Sequence, residues 1–235
     1  MRTVGTVVRG VRAPIIRPGD DLVKIVVDSV MNTVENENIK LKSNDIVAVT
    51  EAIVAKSQGN FATIDDIALD VKNKLGGGTI GVVFPILSRN RFSSILRGIS
   101  RGVDKVVIQL SYPFDEVGNP LVSIDKLYDL GLYEFSKSFT SEEFTDLVKD
   151  VTHPFTGVNY IDMYKQICEC DCEIILSNNP TEILKYTKKV INADIHSRFR
   201  TKKLLLQNGA EKVLSLHEIL NKSVNGSGFH EEYGV

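Results

Sequence analysis

The sequence predicts an α/β protein: a mixed α+β N-terminal layer followed by a C-terminal region in which helices and strands alternate. Three observations carry this. Short runs such as Lys105–Leu110 are almost continuously apolar, as strands covered on both faces of a parallel sheet are. Between them, apolar residues recur at helical spacing, with Phe92, Ile95, Leu96 and Ile99 forming one stripe. After Gly157 the two patterns alternate with short connections, which favours a helix-covered parallel layer.

Residues 3–8 read as an edge strand, followed by a loop punctuated by Pro14, Pro18 and Gly19. Asp20 is a suitable N-cap for a helix bearing Leu22, Ile25, Val26 and Val30. Residues 45–50 contain the run Ile46-Val47-Ala48-Val49 and read as a buried strand, whose apolar character continues to a turn at Lys56-Ser57-Gln58-Gly59-Asn60. A helix over Ile64–Leu75 is stopped by Gly76-Gly77-Gly78. Next come a buried strand at 79–84, a helix at 88–101 and a strand at Lys105–Leu110, then the turn residues Tyr112-Pro113 and Gly118-Asn119-Pro120. Helices at 160–168, 181–189 and 201–208 alternate with strands at 173–176, 190–195 and 212–216.

Composition narrows the function classes. The 235 residues are 43% apolar and 25% charged, which excludes global disorder. The formal net charge of −2 argues against a nucleic-acid-binding protein, which needs a cationic face. The charge is uneven, however: residues 1–111 carry +4 and residues 112–235 carry −6. No apolar run approaches the ~20 residues of a membrane span, and the N-terminus lacks a signal peptide's apolar stretch, so a cytoplasmic protein with no membrane partner is expected. Cys168, Cys170 and Cys172 form one cluster. An odd, crowded set suits a reducing compartment. It offers thiolates to a soft metal but lacks the second ligand pair of a structural zinc site.

No phosphate-loop, dinucleotide, nucleophile-elbow or zinc-protease motif is present. Three weaker groupings remain. The loop Pro14-Ile15-Ile16-Arg17-Pro18-Gly19 feeds a helix start, where free N–H groups attract anions, and Lys56 offers a mobile charge to phosphate; a capped helix and a surface lysine explain the same residues. Arg89 and Arg91 sit at a helix start, where cations oppose the dipole, and Arg97 and Arg101 share a face four residues apart. These arginines suit either an anion or the acidic second half of the chain. Ser177-Asn178-Asn179-Pro180-Thr181 and His196-Ser197-Arg198 each follow a strand, the usual ligand crevice of open α/β layers; they are also ordinary helix caps. His153 has no neighbouring nucleophile, and Cys168 to Cys172 lack a histidine partner.

The order of Gly19-Asp20-Asp21-Leu22, Asp45-Ile46-Val47 and Ile53-Val54-Ala55-Lys56-Ser57-Gln58-Gly59 resembles the N-terminal half of the gamma-glutamyl ligases of the deazaflavin coenzyme F-420. The resemblance spans residues 11–60, with an echo at 81–102. His153-Pro154-Phe155-Thr156-Gly157 and Asn225-Gly226-Ser227-Gly228 are similar to a longer bacterial branch that continues past residue 235, so a C-terminally truncated member is expected. The resemblance implies GTP and Mg or Mn as cofactors, and a small carboxylate substrate that receives the amine of L-glutamate through an acyl phosphate. It also implies a homodimer. Nucleotide contacts carried over by position are Arg12, Ala13, Pro14, Thr50, Glu51 and Lys56. Glu51 stands where the family has a small hydroxyl residue, and Pro85 and Ile86 stand where it has acidic and hydroxyl metal ligands, so no metal ligand is assigned. A nucleotide- or phosphate-binding module without catalysis is the alternative. The expected organisation is a ligase-like domain at 1–111, a connecting hairpin and helix at 112–158, and a βα-alternating region at 159–235 that is incomplete at its C-terminus.

Overall fold

The computed structural model describes residues 5–87, 91–115, 117–153 and 156–234. The chain divides into two compact units, Met1–Phe61 and Ala62–Val235.

The first unit is built on two helices. In α1 (Leu22–Asn36) the N-cap is Asp21, one residue later than the sequence suggests; its carboxylate accepts the Lys24 N–H at 3.0 Å. Asp20 instead accepts the Arg17 N–H at 2.7 Å, fixing the turn that precedes the helix. Residues 5–8 and 45–50 form no strand. The expected buried strand at 45–50 is therefore corrected: Ile46 is 90% exposed and Val47 58%. A buried strand needs neighbours on both edges and cover on both faces. This unit supplies neither, and Ile16 and Ser57 are its buried residues among those described. Residues 51–57, expected to run on into a turn, form helix α2 (Glu51–Ser57), closed where the Asn60 N–H bonds the Ala55 carbonyl at 2.9 Å.

The second unit is a six-stranded sheet in the order β3-β4-β2-β1-β5-β6. Its strands are β1 (Thr79–Val83), β2 (Lys105–Leu110), β3 (Phe139–Thr140), β4 (Asp171–Leu176), β5 (Lys189–Asn192) and β6 (Lys212–Ser215). All neighbours pair in parallel except the edge pair β3–β4, where Phe139 faces Leu176. Strands on either side of residue 111 thus share one sheet.

The helices cover this sheet on both faces. Ile80, Val82, Val106, Ile108, Ile174 and Leu176 point to one side, where they pack with α3 (Ile64–Leu75), α4 (Arg91–Arg101) and α7 (Tyr160–Ile167). Val83, Val107, Ile175, Val190 and Val213 point to the other, against Ile183, Leu184 and Leu205. Leu205 belongs to α8 (Arg198–Gln207). Ile183 and Leu184 belong to residues 180–185, a 3-10 helix rather than the expected α-helix, started by Pro180 at its first turn. Two-residue alternation sorts each strand between these faces. Gly81 makes the second face possible, because a side chain there would collide with Ile183. Helices α5 (Ile124–Asp129) and α6 (Ser141–Val148) fill the long connection between β2 and β4.

Helix α3 carries a reciprocal cap between Thr63 and Asp66, and it packs closely on α4. A Cβ at Gly102 would stand 2.5 Å from the Ala68 carbonyl oxygen. Because the obstacle is backbone, Gly102→Ala should cost about 1–3 kcal/mol of stability. Urea denaturation measures this, and an unchanged midpoint would show that the two helices separate freely.

Candidate functional site

The loops that leave the C-terminal ends of the strands are held by buried polar side chains. Gln109, near the end of β2, is fully buried. Its carbonyl oxygen accepts the Ile183 N–H at 3.0 Å, and its amide donates to the carbonyls of Ser177 and Asn179 at 3.0 and 2.8 Å. Asn192 ends β5; it donates to the Arg198 carbonyl at 2.8 Å and accepts the Asp194 N–H at 3.2 Å. Asp194 accepts the Ser197 N–H and the Thr201 hydroxyl, both at 2.6 Å. Asp115 accepts N–H groups from Leu87, Asn119 and Val117 at 2.8, 2.7 and 3.1 Å, and the Asn119 amide at 2.8 Å. Burying these groups is tolerable because each is paired, and the pairing fixes loops that apolar contacts alone would leave loose.

Between the loops lies a crevice of about 340 Å³, bordered by Phe84, Ser111, Phe114, Asn178, Ser197 and Arg200 among others. It sits where the strand order reverses: from β1 the chain moves outward through β2 and β4, then returns to the other side of β1 at β5. Open α/β sheets take ligands at such a reversal. Phe84 follows β1 with φ of 54°, a left-handed conformation that is costly for a bulky residue. Its N–H bonds the Gln109 carbonyl at 3.0 Å. The oxygens of Asp115 and Asp194 are already occupied by N–H and O–H donors. The Arg200 guanidinium makes no hydrogen bond or ion pair among the described residues. An unpaired fork beside Ser197 and two phenyl rings suits a carboxylate or phosphoryl group on a partly apolar ligand.

The crevice includes residues that the sequence brings forward as strand-end groups, Asn178, Pro180 and Ser197; His196 is exposed and does not line it. Gln109, Asp115, Asn192 and Asp194 are not singled out by sequence. Their signal is a polar residue at the end of an apolar run.

The other candidates lie elsewhere. Arg12, Ala13 and Pro14 are exposed loop residues of the first unit. That loop meets the end of α2, because the Gly19 N–H donates to the Ser57 carbonyl at 2.8 Å. Thr50 is the N-cap of α2 and Glu51 its first residue, whereas Lys56, half-buried, lies in its last turn rather than in a turn after a strand. The helix rise of about 1.5 Å per residue puts roughly 9 Å between Thr50 and Lys56. Arg101 binds Glu169 at 2.7 and 2.9 Å and Asp65 at 2.5 Å, and Arg97 lies 3.6 Å from Glu169. These two arginines are therefore engaged by the chain's own carboxylates. The Arg101 guanidinium holds the Glu169 carboxyl below its ordinary range. Arg91 opens α4, and Arg89 lies outside the described residues, as do 154 and 155 of the segment at His153. Among the described residues, no three His, Cys, Asp or Glu side chains converge to hold a metal ion.

One family model, described as F420-0:Gamma-glutamyl ligase, matches residues 10–197. No curated protein sequence and no solved structure matches the chain.

Asp194→Ala leaves the Ser197 N–H and the Thr201 hydroxyl without their acceptor, at a cost of about 1–3 kcal/mol. Hydrogen exchange should quicken at the first turn of α8 while α3 stays protected. Unchanged exchange at α8 would mean that Asp194 does not hold that border of the crevice.

Proposed function

This chain belongs to the F420-0:gamma-glutamyl ligase family, and on that premise we propose that it joins L-glutamate, or another amino acid, to a carboxylated acceptor through an amide bond, with GTP as phosphoryl donor. The observation that carries the reading is the extent of the match, residues 10–197, which takes in the Arg12 loop, α2 and most of the strand ends that border the crevice. The acceptor carboxylate attacks the terminal phosphorus of GTP, giving an acyl phosphate and GDP. The amine then attacks the acyl carbon, phosphate leaves, and the amide remains. Phosphorylation turns a poor leaving group into a good one. Arg12, Ala13, Pro14, Thr50, Glu51 and Lys56 are the nucleotide contacts on this reading. The crevice of the second unit is a separate candidate for a carboxylate or phosphoryl group, with Arg200 as its counter-ion.

The family also implies magnesium or manganese. Among the described residues no dedicated ion site fits: Pro85 and Ile86 have no oxygen in their side chains, and both crevice carboxylates already accept hydrogen bonds. The same observation favours the second reading, a nucleotide- or phosphate-binding module without catalysis.

No described helix is long and apolar enough to cross a membrane. A cytoplasmic homodimer is part of the proposal, supported by the exposed apolar side chains of Val8, Ile15, Ile46 and Val47 in the first unit. Sedimentation should show a dimer that Ile46→Asp weakens by about tenfold, or 1.4 kcal/mol. A monomer at every concentration removes this part of the proposal.

Calorimetry with GTP separates the readings. Heat that requires manganese, together with phosphate release and an amide product when glutamate and acceptor are added, supports the ligase. Metal-independent binding, weakened about tenfold in Lys56→Ala and without product, supports the binding module. No heat with GTP, ATP or polyphosphate removes the nucleotide site from both.

A further inference from the structure

Helix α8 is held at its start from two sides. On one, the Asn192 amide donates to the Arg198 carbonyl at 2.8 Å, and Asp194 accepts the Ser197 N–H and the Thr201 hydroxyl. On the other stands the turn Leu216–Glu218 that follows β6. Arg198 and Lys202 lie four residues apart and share one face of α8. Lys202 binds the Glu218 carboxylate, which also accepts the Ser215 N–H at 2.8 Å. Arg198 places a guanidinium nitrogen 3.3 Å from Nδ1 of His217, whose ring lies 6.4 Å from that of Phe199. A guanidinium can only donate, so Nδ1 offers its lone pair and the ring proton sits on Nε2.

We propose that the Arg198–His217 contact is an acid-sensitive latch on the first turn of α8, and so on the border of the crevice that Ser197, Arg200 and Thr201 form. Protonation at Nδ1 removes the acceptor and sets two cations face to face. The neutral ring holds the turn, and the imidazolium releases it. The latch stands independently of the ligase reading; its use as regulation rests on the crevice being a ligand site.

The surrounding charges give the latch its direction. Burial and the Arg198 guanidinium hold His217 below the ordinary histidine value of 6.5, with Lys202 adding to them and Glu218 opposing. Against the effect of burial, the Lys202 hydrogen bond and the Ser215 N–H keep the Glu218 carboxyl below its ordinary range, so it stays ionised but already engaged. The C-terminal turn meets the His217 main chain at Gly234, where a side chain would collide with the His217 carbonyl, and it carries His230, Glu231, Glu232 and Tyr233. His230 Nδ1 accepts the N–H groups of Glu232 and Tyr233 at 3.3 and 3.2 Å, which gives that turn an acid response of its own. Because folding lowers the proton affinity of His217, the stabilisation from its contact is complete above about pH 6.5 and fades as the pH falls below it.

The test uses the folded chain without ligand. NMR titration of the His217 ring should give a midpoint below 6.5. Arg198→Met, which keeps an apolar stem and removes the charge, should raise that midpoint. The Thr201 amide bonds the Ser197 carbonyl at 2.9 Å. Its hydrogen exchange, corrected for the intrinsic effect of pH, should quicken about fivefold between neutral pH and the His217 midpoint, while α3 stays protected. His217→Gln keeps an acceptor that does not titrate and should abolish the change; a change that comes from His230 would persist in it. The proposal is overturned by a His217 midpoint at or above 6.5, by one that Arg198→Met leaves in place, or by a ring that stays neutral until the fold is lost. Exchange at Thr201 whose pH dependence is absent, or survives in His217→Gln, also overturns it. These readouts involve no nucleotide or acceptor, so they fail or succeed apart from the ligase reading.

Discussion

The pairing of β1 with β2 on one edge and β5 on the other is the constraint on which the second unit depends. The chain leaves β1 for α4 on one face of the sheet and leaves β5 for α8 on the opposite face. Two connections that start side by side and part to opposite faces leave a gap above the strand ends. Backbone groups bordering that gap need partners. Gln109, Asn192, Asp194 and Asp115 provide them by binding backbone N–H and C=O groups, with Asp194 also accepting the Thr201 hydroxyl and Asp115 the Asn119 side-chain amide. The crevice is therefore a consequence of the topology, and its walls are kept firm by buried amides and carboxylates. Arg200 and the Ser197 hydroxyl, which also border the crevice, make no such side-chain hydrogen bond among the described residues.

Charge is arranged by the same economy. The positive excess of the first 111 residues and the negative excess of the remainder meet partly inside the second unit, where Arg97 and Arg101 close on Glu169 and Lys105 binds Glu173 at 2.7 Å. Pairs as exposed as these contribute little stability. Their role is to fix α4 against the loop before β4 and to withdraw two arginines from the pool available to an anion.

Much of the second unit was legible in the sequence, because strands buried on both faces are written as unbroken apolar runs. Lys105–Leu110 and the helix Ile64–Leu75 appear in the structure with the expected bounds. The same rule failed at residues 45–50, because an apolar run reports hydrophobicity and not whether a neighbour exists to cover it. Helix α2 was hidden by Ile53 and Val54, whose branched side chains read as strand. Of the crevice, Ser197 and the Asn178 segment were visible through their position after strands. Gln109 was not, since a lone polar residue in an apolar run does not reveal that it will meet the Asn179 carbonyl 70 residues away; Asp194 was not, since its partners Ser197 and Thr201 are found only once the turn into α8 is formed.

Membership of the gamma-glutamyl ligase family and the crevice at the strand reversal bear on one question: where the carboxylated ligand is held. A difference electron-density map from crystals soaked in GTP and a small dicarboxylate answers it most directly. Carboxylate density against the Arg200 guanidinium and the Ser197 hydroxyl, between Phe84 and Phe114, is the predicted result. Ligand density at another place, with Arg200 turned to bulk solvent and the crevice holding water alone, would contradict it.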